Sequence, residues 1–221
     1  MLNWEQPWGH FQLHGVVRDE GLQDGLFISK DYIGYGGGFS GNVKPAWFGW
    51  SKDNFGFEAW SGDGLGHWGS DPGTGFPGTS MGLATNFGGP TAGCYGAAVS
   101  GVCPGGGVNT STNAALVRAT LITSWGGQVN YQHWWTGNLR STMSAGILHE
   151  DIPTNLIGTP TASTDVRAGF NKEGLTAHLN LIWSPVPFIN TGIEYVYGHR
   201  VTTFNAKGDE NILDVSFQVK F

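Results

Sequence analysis

The closing segment of the chain alternates almost without fault. Leu213, Val215, Phe217, Val219 and Phe221 share one parity, and Asp214, Ser216, Gln218 and Lys220 share the other. A period of two sends successive side chains to opposite faces of an extended strand, so this segment is apolar on one face and polar on the other. Seven further segments repeat the pattern. They run over Gly9–Arg18, Tyr32–Val43, Asn54–Gly62, Leu121–Trp135, Leu139–Leu148, Leu175–Ser184 and Ile193–Arg200. In the second, Ile33, Tyr35 and Phe39 oppose an almost bare row of Gly34, Gly36, Gly38 and Ser40. About eight strands and no apolar run of roughly 18 residues predict an all-β chain without a transmembrane helix. The 37 glycines and the 13% of charged residues agree with many turns and few helices.

The connections predict how the strands are arranged. They begin with a loop of about a dozen residues after the first strand and a short turn near Ser51-Lys52-Asp53; a very long Gly-rich loop then covers 63–113. A tight Thr136-Gly137-Asn138 turn, a long loop over 150–171, a short Ser184–Pro187 turn and a loop through Lys207-Gly208-Asp209 follow. Short turns alternating with long loops are expected of an antiparallel up-and-down transmembrane β-barrel, with turns in the periplasm and loops outside the cell. The aromatic residues give an independent check. Trp4, Trp8, Trp47, Trp50, Trp135, Trp183, Phe188 and Phe221 all fall at the short-turn end, as a girdle at the membrane interface requires. Tyr35, Trp60, Tyr195 and Tyr197 are assigned to a second ring at the long-loop end.

Charge and cysteines narrow the setting. A net charge of -6 with scattered basic residues argues against nucleic-acid partners. Cys94 and Cys103 have a spacing that suits a small disulfide-closed loop in an oxidising compartment, with two free thiols as the alternative. Met1-Leu2-Asn3-Trp4 lacks the charged and apolar regions of an export leader, which reads as a mature chain or a fragment.

Three segments resemble a known family. They are Tyr131-Gln132-His133-Trp134-Trp135-Thr136 leading into Leu139-Arg140-Ser141-Thr142, Asn180–Val186 leading into Gly192–Gly198, and Ala59-Trp60-Ser61-Gly62-Asp63-Gly64-Leu65-Gly66. Together they resemble the carboxy-terminal half of DcaP-like trimeric outer-membrane porins, and an aromatic terminal residue such as Phe221 resembles the insertion mark of outer-membrane barrels. The resemblance implies a 16-stranded barrel of which this chain supplies about half, placed in the bacterial outer membrane. It also implies a homotrimer, contact with outer-membrane lipid, and passive passage of small hydrophilic solutes, with small carboxylates favoured. Eight strands alone close around their own side chains, so an open channel needs the missing half. A complete eight-stranded barrel serving as an anchor is the first alternative, and a secreted carbohydrate-binding β-sandwich the second.

The inward parity predicts the pore lining. Arg18, Glu58, Arg140, Glu194, Arg200 and Asp214 lie on it, together with Lys220, giving a slight basic excess and hence a weak anion preference. His10 and His14 share a face, but four residues along a strand is about 13 Å, too far for one metal ion. His149-Glu150-Asp151 are consecutive, so their side chains alternate sides and do not converge on a substrate. No metal, cofactor or catalytic activity is expected, and the whole chain, 1–221, reads as one domain.

Overall fold

The computed structural model describes residues 1–23, 29–46, 49–65, 83–86, 118–152 and 171–220. Nine strands form one antiparallel sheet: β1 (Leu2–Gln6), β2 (Gly9–Gln23), β3 (Ser29–Val43), β4 (Asn54–Asp63), β7 (Thr123–Trp134), β8 (Leu139–Asp151), β9 (Asn171–Val186), β10 (Ile189–Thr202) and β11 (Lys207–Val219). Between β4 and β7 the short strands β5 (Leu83–Asn86) and β6 (Arg118–Leu121) pair separately. Neighbours in the large sheet are consecutive apart from that interruption, so the sheet is an up-and-down meander. It ends at β1 on one side and β11 on the other, and no ladder joins them among the described residues.

All eight alternating segments are strands of this sheet, and β1 is the addition. It is short, and its Trp4 pairs with Phe11 across the two-residue turn at Pro7-Trp8. The connection lengths differ from the expected rhythm. β2 and β3 extend so far that only residues 24–28 separate them, while the β3–β4 connection spans 44–53, so the alternation of short and long is not strict. Lys207-Gly208-Asp209 is strand rather than loop, paired with Val201, Arg200 and His199. The two longest connections of the large sheet, 64–122 and 152–170, do leave from the same end. Trp47, Phe221, Cys94, Cys103 and most of the 63–113 loop lie outside the described residues.

The two faces differ in character. On the outward parity Leu13, Phe39, Val129, Met143, Leu179, Ile193, Leu213, Val215 and Phe217 are all exposed. An apolar face this wide requires a covering, and one built from period-two strands of a meander suits lipid. Its upper margin is oblique to the hydrogen-bonded rows. The highest outward apolar residue drops from Val17 on β2 and Ile33 on β3, through Ile147 on β8, to Tyr197 on β10 and Leu213 on β11. By register the Val17 row reaches Asp151, whereas the Leu213 row reaches Phe55. Strands tilted in a membrane produce this slope, because a horizontal belt cuts each strand at a different residue.

Candidate functional site

The opposite face carries the polar residues. One row runs across all nine strands as Asn3, Gln12, Ser40, Glu58, Gln128, Gly146, Thr176, Gly198 and Glu210. The row above alternates bulk and glycine: His14, Gly38, Trp60, Gly126, Leu148, Gly174, Arg200, Gly208. The glycines are there for space. A Cβ on Gly126 would stand 2.8 Å from the Trp60 ring, and one on Gly208 would meet Arg200 Nε at 3.6 Å. Large side chains therefore lie along the wall, over their glycine neighbours, instead of standing into the space it encloses. A cleft of about 890 Å³ opens on this side, lined in part by Glu58, Trp60, Gln128, Thr176 and Arg200.

Trp60, Leu65 and Leu148, with Val16, form a small apolar cluster on the same face. Trp60 is 8% exposed and belongs to this cluster, which corrects its assignment to an outer aromatic ring. The chain reaches the cluster by turning at Gly64, whose φ of +65° suits glycine, so that Leu65 settles over Gly36 and Gly62. Arg18 Nη1 donates to the Leu65 carbonyl at 2.5 Å and its Nε pairs with Glu20 at 2.8 Å.

Arg18, Glu58, Arg140, Glu194, Arg200 and Asp214 share this inner face, but they do not converge on a point. Glu58 accepts from Gln128 at 3.1 Å, and Glu194 sits 2.7 Å from His178 Nδ1. Arg140 donates to Ser184 Oγ at 3.2 Å and lies 5.3 Å from the centre of the Trp134 ring. Lys52 approaches that same ring, also at 5.3 Å, from the β3–β4 connection. The expected basic excess does not hold. Glu5, Glu20, Glu150 and Glu210 join the same face, from a strand not foreseen and from strand ends read as loops.

The outward face carries six exposed aromatic residues at the short-turn end and one feature that was missed. Trp4, Trp8, Trp50, Trp135, Trp183 and Phe188 are all exposed at the short-turn end, and Trp4 stacks on Phe11 at 5.6 Å. Beneath Trp50 and Trp135, whose rings lie 4.3 and 4.4 Å from that of His133, a carboxylate is buried. Tyr131 donates to Asp53 Oδ2 at 2.5 Å, His133 Nδ1 lies 2.8 Å from the same oxygen, and the Trp134 N–H donates to Oδ1 at 3.2 Å. Burial pushes the Asp53 carboxyl up, but these hydrogen bonds outweigh it and hold it below its ordinary 3.8. The network fastens the β3–β4 connection to β7.

Asp53→Asn is expected to lower stability by about 1–3 kcal/mol at pH 7, the usual consequence of disturbing a buried hydrogen-bonded polar group. The folded carboxyl ionises more readily than the unfolded one. Its contribution is thus complete above the unfolded value near 3.8 and disappears as pH falls through the lower folded value. Urea unfolding in lipid vesicles between pH 7 and pH 3 should show the two proteins converging on acidification.

His149 and Asp151 meet on the outward face at 3.1 Å, while the intervening Glu150 is buried on the inward one. Trp125 stacks on His149, and Tyr197 and His199 both bond Asp209. These polar and aromatic groups border the apolar belt at the long-loop end.

An antiparallel meander with one exposed apolar side and one polar side has the architecture of a transmembrane β-barrel wall. Residues 119–217 match the model of the DcaP outer membrane protein family. The crystal structure of the outer membrane channel DcaP of Acinetobacter baumannii superimposes with a TM-score of 0.59 at 17% identity, over 96% of this chain and 47% of that one. Residues 119–217 are thus similar in sequence to the DcaP family, and the chain as a whole is similar to that channel in fold, spanning about half its length. No protein of curated function matches it by sequence. Two of the three segments that carried the resemblance fall inside the matched residues; Ala59–Gly66 does not.

Proposed function

We propose that this chain forms about half the wall of an outer-membrane porin through which small hydrophilic solutes diffuse passively. The observation that carries the reading is the division of one nine-stranded sheet into an exposed apolar face and a polar face kept low by glycine. A packed eight-stranded plug would fill its interior with side chains, whereas this wall lays Trp60 and Arg200 flat. Arg18, Glu58, Arg140, Glu194, Arg200 and Asp214 are the proposed pore-facing charges, and the 63–113 loop is proposed to be extracellular. The working assembly is a homotrimer in outer-membrane lipid, without cofactor or catalytic role, and Cys94 and Cys103 are proposed to be joined.

A second reading, preference for small carboxylates, is favoured by the Lys52–Trp134–Arg140 row, where two cations flank one indole at the short-turn mouth. The carboxylates Glu5, Glu58, Glu194, Glu210 and Asp214 on the same face oppose it. Single-channel recording of the full-length protein in a KCl gradient decides between them. Open-channel steps are expected, and a reversal potential on the anion side that moves toward zero in Arg140→Ala, and that persists when succinate replaces chloride, would support the carboxylate reading. Absence of any conductance from correctly inserted protein would refute the porin reading itself.

A further inference from the structure

Between the charged mouth and the apolar cluster, the wall is lined by neutral hydrogen-bonding groups. On β4, β7, β8 and β9 the three rows below Trp60 present Asn54, Asn130, Gln132, Thr142, Ser144 and Asn180, with glycine at Gly56 and Gly146. Glu58 and His178 are the ionisable side chains among them, and each is engaged sideways, with Gln128 and with Glu194. The amides are linked along the rows. Gln132 donates to Thr142 Oγ1 at 3.4 Å, and Asn180 Oδ1 accepts from the Thr142 N–H at 2.9 Å. The amide of Asn130 lies over Gly56, where a Cβ would come within 2.7 Å of its nitrogen.

We infer that this belt selects uncharged polyhydroxylated solutes, and that it sets their flux separately from that of ions. A primary amide offers two donors and two acceptor lone pairs, and a hydroxyl offers both kinds, so the surface replaces the water around a sugar or polyol without favouring either sign of charge. An ion crossing the same stretch meets Glu58, His178 and, beside Asn180, Glu194, each already bonded to a neighbour on the wall, and gains less from the amides than a polyol does. Thr142, Asn180 and Asn130 lie on adjacent strands, so one hexose-sized molecule is able to reach hydrogen-bonding groups on two strands at once. The inference rests on the porin reading and names the solutes which that reading leaves open.

The test uses the full-length protein in liposomes and planar bilayers, with glucose and mannitol as probes. Asn130→Leu combined with Asn180→Leu is expected to lower glucose and mannitol flux about fivefold, the equivalent of roughly one net hydrogen bond, with little change in KCl conductance. Parallel loss of polyol flux and conductance would overturn the inference, since it would report narrowing alone. So would an unchanged polyol flux. Should the double variant fail to insert, the isosteric Asn130→Asp serves: a reversal potential moving toward cations places the belt on the permeation path, and an unmoved one overturns the inference. A wild-type protein that conducts KCl but excludes both polyols sinks this inference alone, whereas one with no conductance sinks the porin reading beneath it.

Discussion

Met143→Arg is expected to destabilise the folded protein in lipid by about 2–4 kcal/mol, and Ser144→Arg, one residue along, by far less. Met143 is 60% exposed on the outward face, midway between Leu139 and Ile147, whereas Ser144 faces inward between Asn130 and His178. A guanidinium at the first position must be buried in hydrocarbon or drag water and headgroups toward it. At the second it enters a polar space. Urea unfolding midpoints in vesicles separate the two cases. Equal losses would mean that the parity assigned to lipid is wrong, and with it the division of the sheet on which every functional statement depends.

Gly62→Val is expected to have an effect of comparable size by a different route. A Cβ at Gly62 would stand 2.3 Å from the Tyr35 carbonyl oxygen and 2.5 Å from the Gly36 Cα, and both obstacles are backbone. Side chains move aside at modest cost, but here two strands would have to separate. The loss should exceed the roughly 1–3 kcal/mol of ordinary overpacking. It should also displace Leu65, whose Cδ2 lies 3.0 Å from the same Cβ position, and so release the inward turn at Gly64. Gly137→Ala is the control, since nothing lies within 4 Å of its Cβ position. The heat-modifiable gel shift typical of folded barrels, with proteolysis of the 64–122 connection, reports both effects; wild-type behaviour of Gly62→Val would show that β3 and β4 approach less closely than described.

The alternation of side chains was enough to place eight strands and the face to which each residue turns, because a period of two is a local property. What was missed depends on pairing. β1 is five residues long, too short for its alternation to stand out before Pro7-Trp8. Gly208 looked like a loop residue, but its register opposite Arg200 makes it the small neighbour over which that side chain lies. Misreading it moved Glu210 out of the strand, one of the four carboxylates whose omission left the inner face looking basic. The Asp53 network joins residues about 80 positions apart. Only the registered pairing of β4 with β7 brings them together, and the sequence hint was no more than Tyr131 and His133 on one parity before two tryptophans.

The slope of the apolar margin restricts what else the sheet can join. From β2 to β11 the lipid belt descends across the hydrogen-bonded rows, as a screw thread descends around its shaft. A strand that pairs with the free edge of β11 has to carry its greasy residues lower still, and one that pairs with β1 has to carry them higher. Register by hydrogen bonds alone would accept many strands at either edge; register by hydrogen bonds and lipid together accepts few. The thread pitch, fixed strand by strand, thus leaves each free edge few registers in which a joining strand keeps its apolar residues in lipid and its polar residues out of it.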